Sequence, residues 1–391
     1  MLLSLALLFI VGLFLSKIMN ILKLPSLVGY LLAGLILGPY GLNYFDESLL
    51  LISADLRKIA LIIILLRAGF NLDLETLKSS KFSSLLLCFV PACFEIIACT
   101  LLGPIFFKIT TFEAMLLGCV LAAVSPAVVI PKMIDLKERK LGLQYKIPET
   151  MMFASSLDDI FVILLFTMSL SLVSVGQVDL NLLFSLPSAI ILGVLFGIII
   201  GFILAKVFKK YSLRDSTKII FILSISFILV TIEDNMNGAI GFSGLLAIMV
   251  QAITINALYP SLAKRLSNRF SKLWVASEIW LFVLVGATVN INYALKIGFL
   301  PIIFILILLI FRSCGVLSCL SLNPMPFSQK LFCCISYLPK ATVQAAIGGI
   351  PLMMGLPCGE LILSIAIVAI FVSAPIGALL IDYSATKLLK S

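Results

Sequence analysis

The sequence contains no histidine. That absence removes imidazole metal ligation, Ser-His nucleophilic triads and the one side chain that titrates near neutral pH unaided. Any proton chemistry therefore falls to carboxylates or lysines. Charge is also scarce. Only 12% of the 391 residues are charged against 62% hydrophobic, and the mean hydropathy of +1.22 lies far outside the water-soluble range. HExxH and DxxGxGD-type sequences are missing as well, which argues against a membrane-embedded enzyme. The nine cysteines lie within apolar segments without metal-ligand spacing, and read as packing or lipid-facing residues.

Apolar stretches, each long enough to cross a hydrocarbon core of roughly 30 Å, recur along the whole chain. They predict an all-α polytopic membrane protein with about thirteen spans, near 2–19, 26–42, 53–71, 83–108, 112–133, 148–174, 187–208, 216–232, 238–256, 271–289, 295–320, 329–350 and 360–386. Residues 2–15 have no basic residue ahead of them and no small-residue cleavage site, so they read as a retained helix. The net charge of +9 points to topology and not to nucleic acid, because the basic residues fall in short loops. Twenty-one of them, including Lys23, Lys78, Lys81, Lys132, Lys264, Arg265, Arg269, Lys272 and Lys390, share one side, against Arg57, Lys58, Lys108 and Lys296 on the other. By the positive-inside rule the N-terminus is outside and the C-terminus cytoplasmic. The loops leave no room for a fused nucleotide-binding module.

Of the 28 basic residues, Arg67, Arg312 and Lys340 fall inside apolar spans, together with Glu95, Asp158, Asp159 and Glu278. A charge at mid-bilayer costs a few kcal/mol even on lenient scales, so such residues mark ion paths or buried pairs. The adjacent Asp158 and Asp159 stand out most. Neighbours on a helix diverge by about 100°, which gives the two carboxylates different surroundings and implies two roles. Ser155 and Ser156, one turn earlier, bring hydroxyl oxygens near them. Arg312 is the expected partner of Asp158, and it stays protonated there. Lys340 either neutralises a half-helix end or faces the site as a second proton carrier, and Glu95 with Arg67 reads equally well as a structural ion pair.

Two spans carry helix-breaking residues. In SPAVVIP (125–131), Ser125 is followed by Pro126 and Pro131, and YLPKATVQAAIGGIP (337–351) holds Pro339, Lys340, Thr342 and paired glycines. Prolines remove backbone donors and leave carbonyls free at membrane depth. Interrupted helices at corresponding positions of two halves indicate the substrate site of a secondary transporter. A short internal similarity between residues 67–74 and 286–293 is consistent with an inverted repeat.

The stretches VGYLLAGLILGPYGL (28–42), AAVSPAVVIPKM (122–133), SSLDDI (155–160) and LPKATVQAAIG (338–348) resemble the monovalent cation:proton antiporters, especially the NHA-type sodium/proton exchangers and their prokaryotic NapA-like relatives. The resemblance implies one membrane-transporter domain over residues 1–391, with two crossing broken helices. It implies an ion-translocating core mainly in 53–174 and 271–391, and dimerisation helices mainly in 1–52 and 187–256. It also implies a homodimer in the cell membrane working by an elevator movement, without a cofactor. On it, Asp159 is the site for the transported cation and the proton, Asp158 is paired to Arg312, and Lys340 and Glu95 are the buried charge partners. Many NapA-type members carry lysine where this chain has Arg312. An arginine holds its proton, which favours electroneutral one-for-one exchange. The expected function is Na⁺ (or Li⁺) for H⁺ antiport. The alternatives are K⁺/H⁺ exchange and, from a related architecture, a sodium-coupled organic-anion symporter, against which an acidic pair would act by repulsion.

Overall fold

A computed structural model describes residues 1–22, 24–72, 85–175, 180–235, 241–290, 293, 296–321 and 323–389. Lys23, Lys78, Lys81 and Lys390 of the basic side lie outside the described residues, as do parts of both members of the short internal repeat.

Among the described residues the chain is helical without strands. The helices are α1 (Leu2–Ile21), α2 (Ser26–Leu37), α3 (Glu47–Leu51), α4 (Ser53–Asn71), α5 (Val90–Phe107), α6 (Thr111–Ala122), α7 (Pro126–Glu138), α8 (Ile147–Val175) and α9 (Leu180–Lys210). They continue as α10 (Asp215–Asn235), α11 (Gly244–Leu258), α12 (Pro260–Ala287), α13 (Leu300–Leu320), α14 (Phe327–Ser336), α15 (Thr342–Ile347), α16 (Ile350–Met353) and α17 (Gly359–Leu388). Among the described residues, nine stretches are long and apolar enough to cross a membrane, with α6 and α7 forming one of them, and α2, α11 and α15–α16 add shorter apolar helices.

Several helix boundaries differ from the sequence reading: α9 starts at Leu180 against the expected 187, and α2 ends at Leu37 against 42. The span expected at 271–289 is part of a helix that starts at Pro260, because its first half is amphipathic: Leu262, Ala263, Leu266 and Phe270 are buried while Lys264, Arg265 and Arg269 are exposed on the other face. Those basic residues sit on a helix and not in a loop. Of the span expected from residue 83, residues 83 and 84 lie outside the described residues, residues 85–86 are helical, and a turn at 87–89 separates them from the long helix that starts at Val90.

The chain divides into two compact units, Met1–Ala54 with Glu75–Val173 and Ile279–Ser391, and Asp55–Leu74 with Ser174–Glu278. By packing alone, residues 1–54 fall in the first unit and residues 55–74 in the second. The second unit is knitted by small residues. Gly193, Gly197 and Gly201 of α9 recur every fourth position, and a Cβ on each would lie 2.7–2.8 Å from an atom of α11 or of the residue preceding it. Without water to drive helices together, such close backbone contact is what holds membrane helices.

In the first unit α2 crosses the end of α12 just as closely. A Cβ on Gly34 would fall 2.0 Å from the Val283 carbonyl oxygen, and one on Gly286 would fall 2.3 Å from that of Leu31. Gly34→Val is therefore expected to lower stability by about 1–3 kcal/mol, the usual cost of overpacking. Thermal melts of the detergent-solubilised protein check this, and an unchanged midpoint would show that the crossing yields freely.

Both proline-rich spans are interrupted. Helix α6 stops at Ala122, residues 123–125 are extended, and α7 begins with Pro126 in the first helical position, where a missing N–H costs nothing. Pro126 also disfavours helical geometry at Ser125, whose φ of −86° and ψ of 107° are extended. Pro131, expected to share in the break, lies inside α7, which runs through it. In the other span α14 ends at Ser336, and α15 resumes at Thr342 after the non-helical stretch 337–341, which holds Pro339 and Lys340.

Candidate functional site

The first unit gathers Glu95, Asp158, Asp159, Arg312 and Lys340 around its two breaks. Interrupting α6 frees the carbonyls of Leu121, Ala122 and Ala123 from their helical partners, and free carbonyls buried in apolar surroundings need donors. Side chains from the later part of the chain supply them. Lys340 Nζ donates to Leu121 at 2.6 Å, Arg312 Nη1 donates to Ala122, and Gln344 Nε2 donates to Ala123 at 2.8 Å and to Leu121 at 3.2 Å. The breaks also meet directly, because the Ser125 N–H donates to the Pro339 carbonyl at 2.8 Å. Positive groups thus face the negative end of the α6 half-helix.

Arg312 on α13 is fully buried and uses its fork on several acceptors. Its Nη2 donates to Asp158 Oδ2 at 2.9 Å, its Nη1 to Glu95 Oε2 at 2.9 Å, and its Nε to the Tyr337 carbonyl at 3.1 Å. The guanidinium carbon stands 5.4 Å from the centre of the Tyr337 ring. Gly315, one turn further along α13, permits this reach: a Cβ there would lie 2.7 Å from Pro91 Cα at the start of α5. Lys340 closes the cluster, with Nζ 2.6 Å and 2.8 Å from the two oxygens of Glu95. Glu95 is thereby held by Arg312 and Lys340 and not by Arg67. Arg67 instead interacts electrostatically with Glu278 in the second unit.

Asp158 and Asp159 leave α8 in different directions. Asp158 is fully buried, and its Oδ2 accepts from both Arg312 and the Val124 N–H, the latter at 2.8 Å. Asp159 is half-buried, and no hydrogen bond or ion pair reaches its side chain among the described residues. Two cations and two anions pair within the cluster, and Asp159 is left over. Ser155 is buried beside them, but its hydroxyl donates back to the Met152 carbonyl at 3.1 Å. Several oxygens at the breaks lack hydrogen-bond partners among the described residues: Ser125 Oγ, Thr342 Oγ1, Asp158 Oδ1 and Asp159 Oδ1. Hard oxygens of this kind suit a monovalent or divalent cation that has shed part of its water.

Sequence reasoning counted Gln344 only among the residues that interrupt the 337–351 span, and passed over Tyr337 and Ser373. Gln344 had a visible signal, an amide inside an apolar run beside the breaking residues. Ser373 had none, since one serine in α17 looks like any small packing residue.

Residues 5–382 match the family described as sodium/hydrogen exchanger, transmembrane. The human protein named sodium/hydrogen exchanger 9B1 is 31% identical over 382 residues, spanning 94% of this chain and 73% of that protein. Sodium/hydrogen exchanger 9B2 of Mus musculus is 30% identical over 384 residues, 94% of this chain and 69% of the mouse protein. Among solved structures, the sodium proton antiporter MjNhaP1 of Methanocaldococcus jannaschii superposes with a TM-score of 0.85 at 21% identity, over 98% of this chain and 97% of that one. With the family matched along nearly its whole length, and its helices arranged as in a solved antiporter, the chain belongs to the sodium/hydrogen exchanger family.

Proposed function

We propose that the protein exchanges Na⁺ or Li⁺ for H⁺ across the cell membrane, and that Asp159 is the group on which the two ions compete. The observation that supports this reading is the charge balance of the buried cluster. Arg312 and Lys340 are matched by Asp158 and Glu95, which leaves Asp159, among the described residues, as an acid with no ion-pair partner and an oxygen free of hydrogen bonds. A carboxylate in that position takes up a proton or a partly dehydrated cation, and it cannot favour both at once. Competition for one site couples the two flows. Asp158 Oδ1, Ser125 Oγ and Thr342 Oγ1 are the oxygens available to complete a cation shell.

Exchange is one for one on this reading. Arg312 keeps its proton throughout the cycle, and Lys340 is tied to both oxygens of Glu95 and to the Leu121 carbonyl. Only Asp159 then changes its proton. The cytoplasmic C-terminus, homodimeric assembly and elevator movement belong to the same proposal; the basic asymmetry of the chain supports the first, and the family resemblance supports the other two.

The test is a proteoliposome assay with imposed Na⁺ and pH gradients. Sodium-dependent proton movement is expected, and its absence sinks the reading. The rate is further expected to be the same with the membrane potential clamped at zero or at roughly 100 mV of either sign, although one net charge crossing that potential would gain or lose about 2.3 kcal/mol. A rate that follows the potential would transfer a second proton to the mechanism, with Lys340 the group to examine.

A further inference from the structure

We infer that Gln344 is a positioning residue for the ion site, acting on Asp158 through the peptide bond between Ala123 and Val124; this rests on the exchange reading above. That one peptide unit is held on both edges. Its carbonyl, from Ala123, accepts from Gln344 Nε2 at 2.8 Å, and its N–H, from Val124, donates to Asp158 Oδ2 at 2.8 Å. In a trans peptide the two groups point in opposite directions, so a donor on the oxygen fixes the plane and polarises the N–H toward the carboxylate. The peptide lies in the break between α6 and α7, where no helical ladder restrains it. Gln344 supplies that restraint from α15.

The chemistry leaves no freedom in how the amide is turned. Only its NH2 edge can face the two carbonyl oxygens of Leu121 and Ala123, and Gln344 Oε1 is left without a hydrogen-bond partner among the described residues. An unpartnered amide oxygen in a buried side chain is costly, so this placement is not explained by packing alone.

The second break repeats the arrangement. Its peptide between Pro339 and Lys340 accepts on the carbonyl from the Ser125 N–H at 2.8 Å and donates through the Lys340 N–H to Ser373 Oγ at 3.0 Å. Ser373 in turn donates to the Ala369 carbonyl at 2.7 Å. Each break thus has one peptide plane clamped from across the crossing and again from the long helix that follows, α8 or α17. Where the second break uses a neutral serine, the first uses the carboxylate beside Asp159. The clamp at Gln344 therefore sets how Asp158 presents its other oxygen, Oδ1, to the cation.

The test uses the full chain in proteoliposomes. Gln344→Met keeps the volume and removes the donor, and Gln344→Glu keeps the shape but turns oxygens onto the carbonyls. Both are expected to raise the half-saturating Na⁺ concentration about tenfold, equal to about 1.4 kcal/mol, with the maximal rate within about twofold of the unsubstituted protein. A methionine variant that melts as a folded protein and shows unchanged half-saturation overturns the inference, since a side chain that only filled space would be replaced at little cost. A thermal-stability cycle with Asp158→Asn reads the same link without transport. Shifts that fail to add are expected, and additive shifts overturn the proposal. Gln344→Asn, which keeps the amide on a shorter stem, enters the cycle if methionine prevents folding. Should the unsubstituted protein move no protons with Na⁺, the exchange reading fails while the stability cycle still decides the role of Gln344.

Discussion

Vesicles carrying Asp159→Asn are expected to show no sodium-dependent proton movement, a loss of at least roughly 100-fold that takes the rate to background. Asparagine matches aspartate in shape but neither binds a proton near neutral pH nor offers a negative charge to a cation, so both halves of the competition disappear together. The fold should survive. Asp159 makes no ion pair or side-chain hydrogen bond among the described residues, and replacing an unpaired, half-buried carboxylate with an amide removes a desolvation cost without orphaning a partner. The melting temperature is therefore expected to stay level or rise. That combination, silent in transport and undamaged in stability, separates an exchanging group from a structural one. Retained exchange in this variant would move the site elsewhere.

Much of this architecture was legible in the sequence because the bilayer imposes a simple code. Length and hydropathy located the spans, and the prolines at 126 and 339 marked both breaks, since a residue without an N–H cannot continue a helical ladder. The amphipathic first half of α12 escaped because the charges of Lys264, Arg265 and Arg269 interrupt the hydropathy while leaving the buried face intact. Pro131 misled in the opposite way, being carried inside a helix whose neighbours accommodate it. At the site, residue types revealed which groups are expensive to bury, and Arg312 and Asp158 do meet in the structure. Partnership is another matter. Glu95 is held by Arg312 and Lys340, far away in sequence, while Arg67 belongs with Glu278. Nothing local distinguishes these pairings, because they are set by which helices cross. The roles of Val124 and Ala123 were out of reach altogether, since they act through backbone groups and their side chains carry no signal.

Arg312→Met carries the largest expected cost in stability, about 3–5 kcal/mol, the range for removing one partner of a buried ion pair. Without the guanidinium, Asp158 is left among the described residues with the Val124 N–H and Glu95 with Lys340, and the carbonyls of Ala122 and Tyr337 each lose a donor. Methionine fills a similar volume, so the loss is electrostatic and not a cavity effect. Arg312→Lys should recover part of it, because one ammonium restores the charge but cannot reach Asp158, Glu95, Ala122 and Tyr337 together as a planar fork does. Asp158→Asn relieves the cluster from the opposite side, and combining it with Arg312→Met should cost less than the sum of the two, since the charge left unpaired by the first substitution is removed by the second. Thermal melts of the four variants and the unsubstituted protein in detergent measure these differences. A melting midpoint for Arg312→Met within a degree or two of the unsubstituted protein would mean that the cluster stays solvated after the loss, and that charge pairing around the breaks is not what holds the two interrupted helices in place.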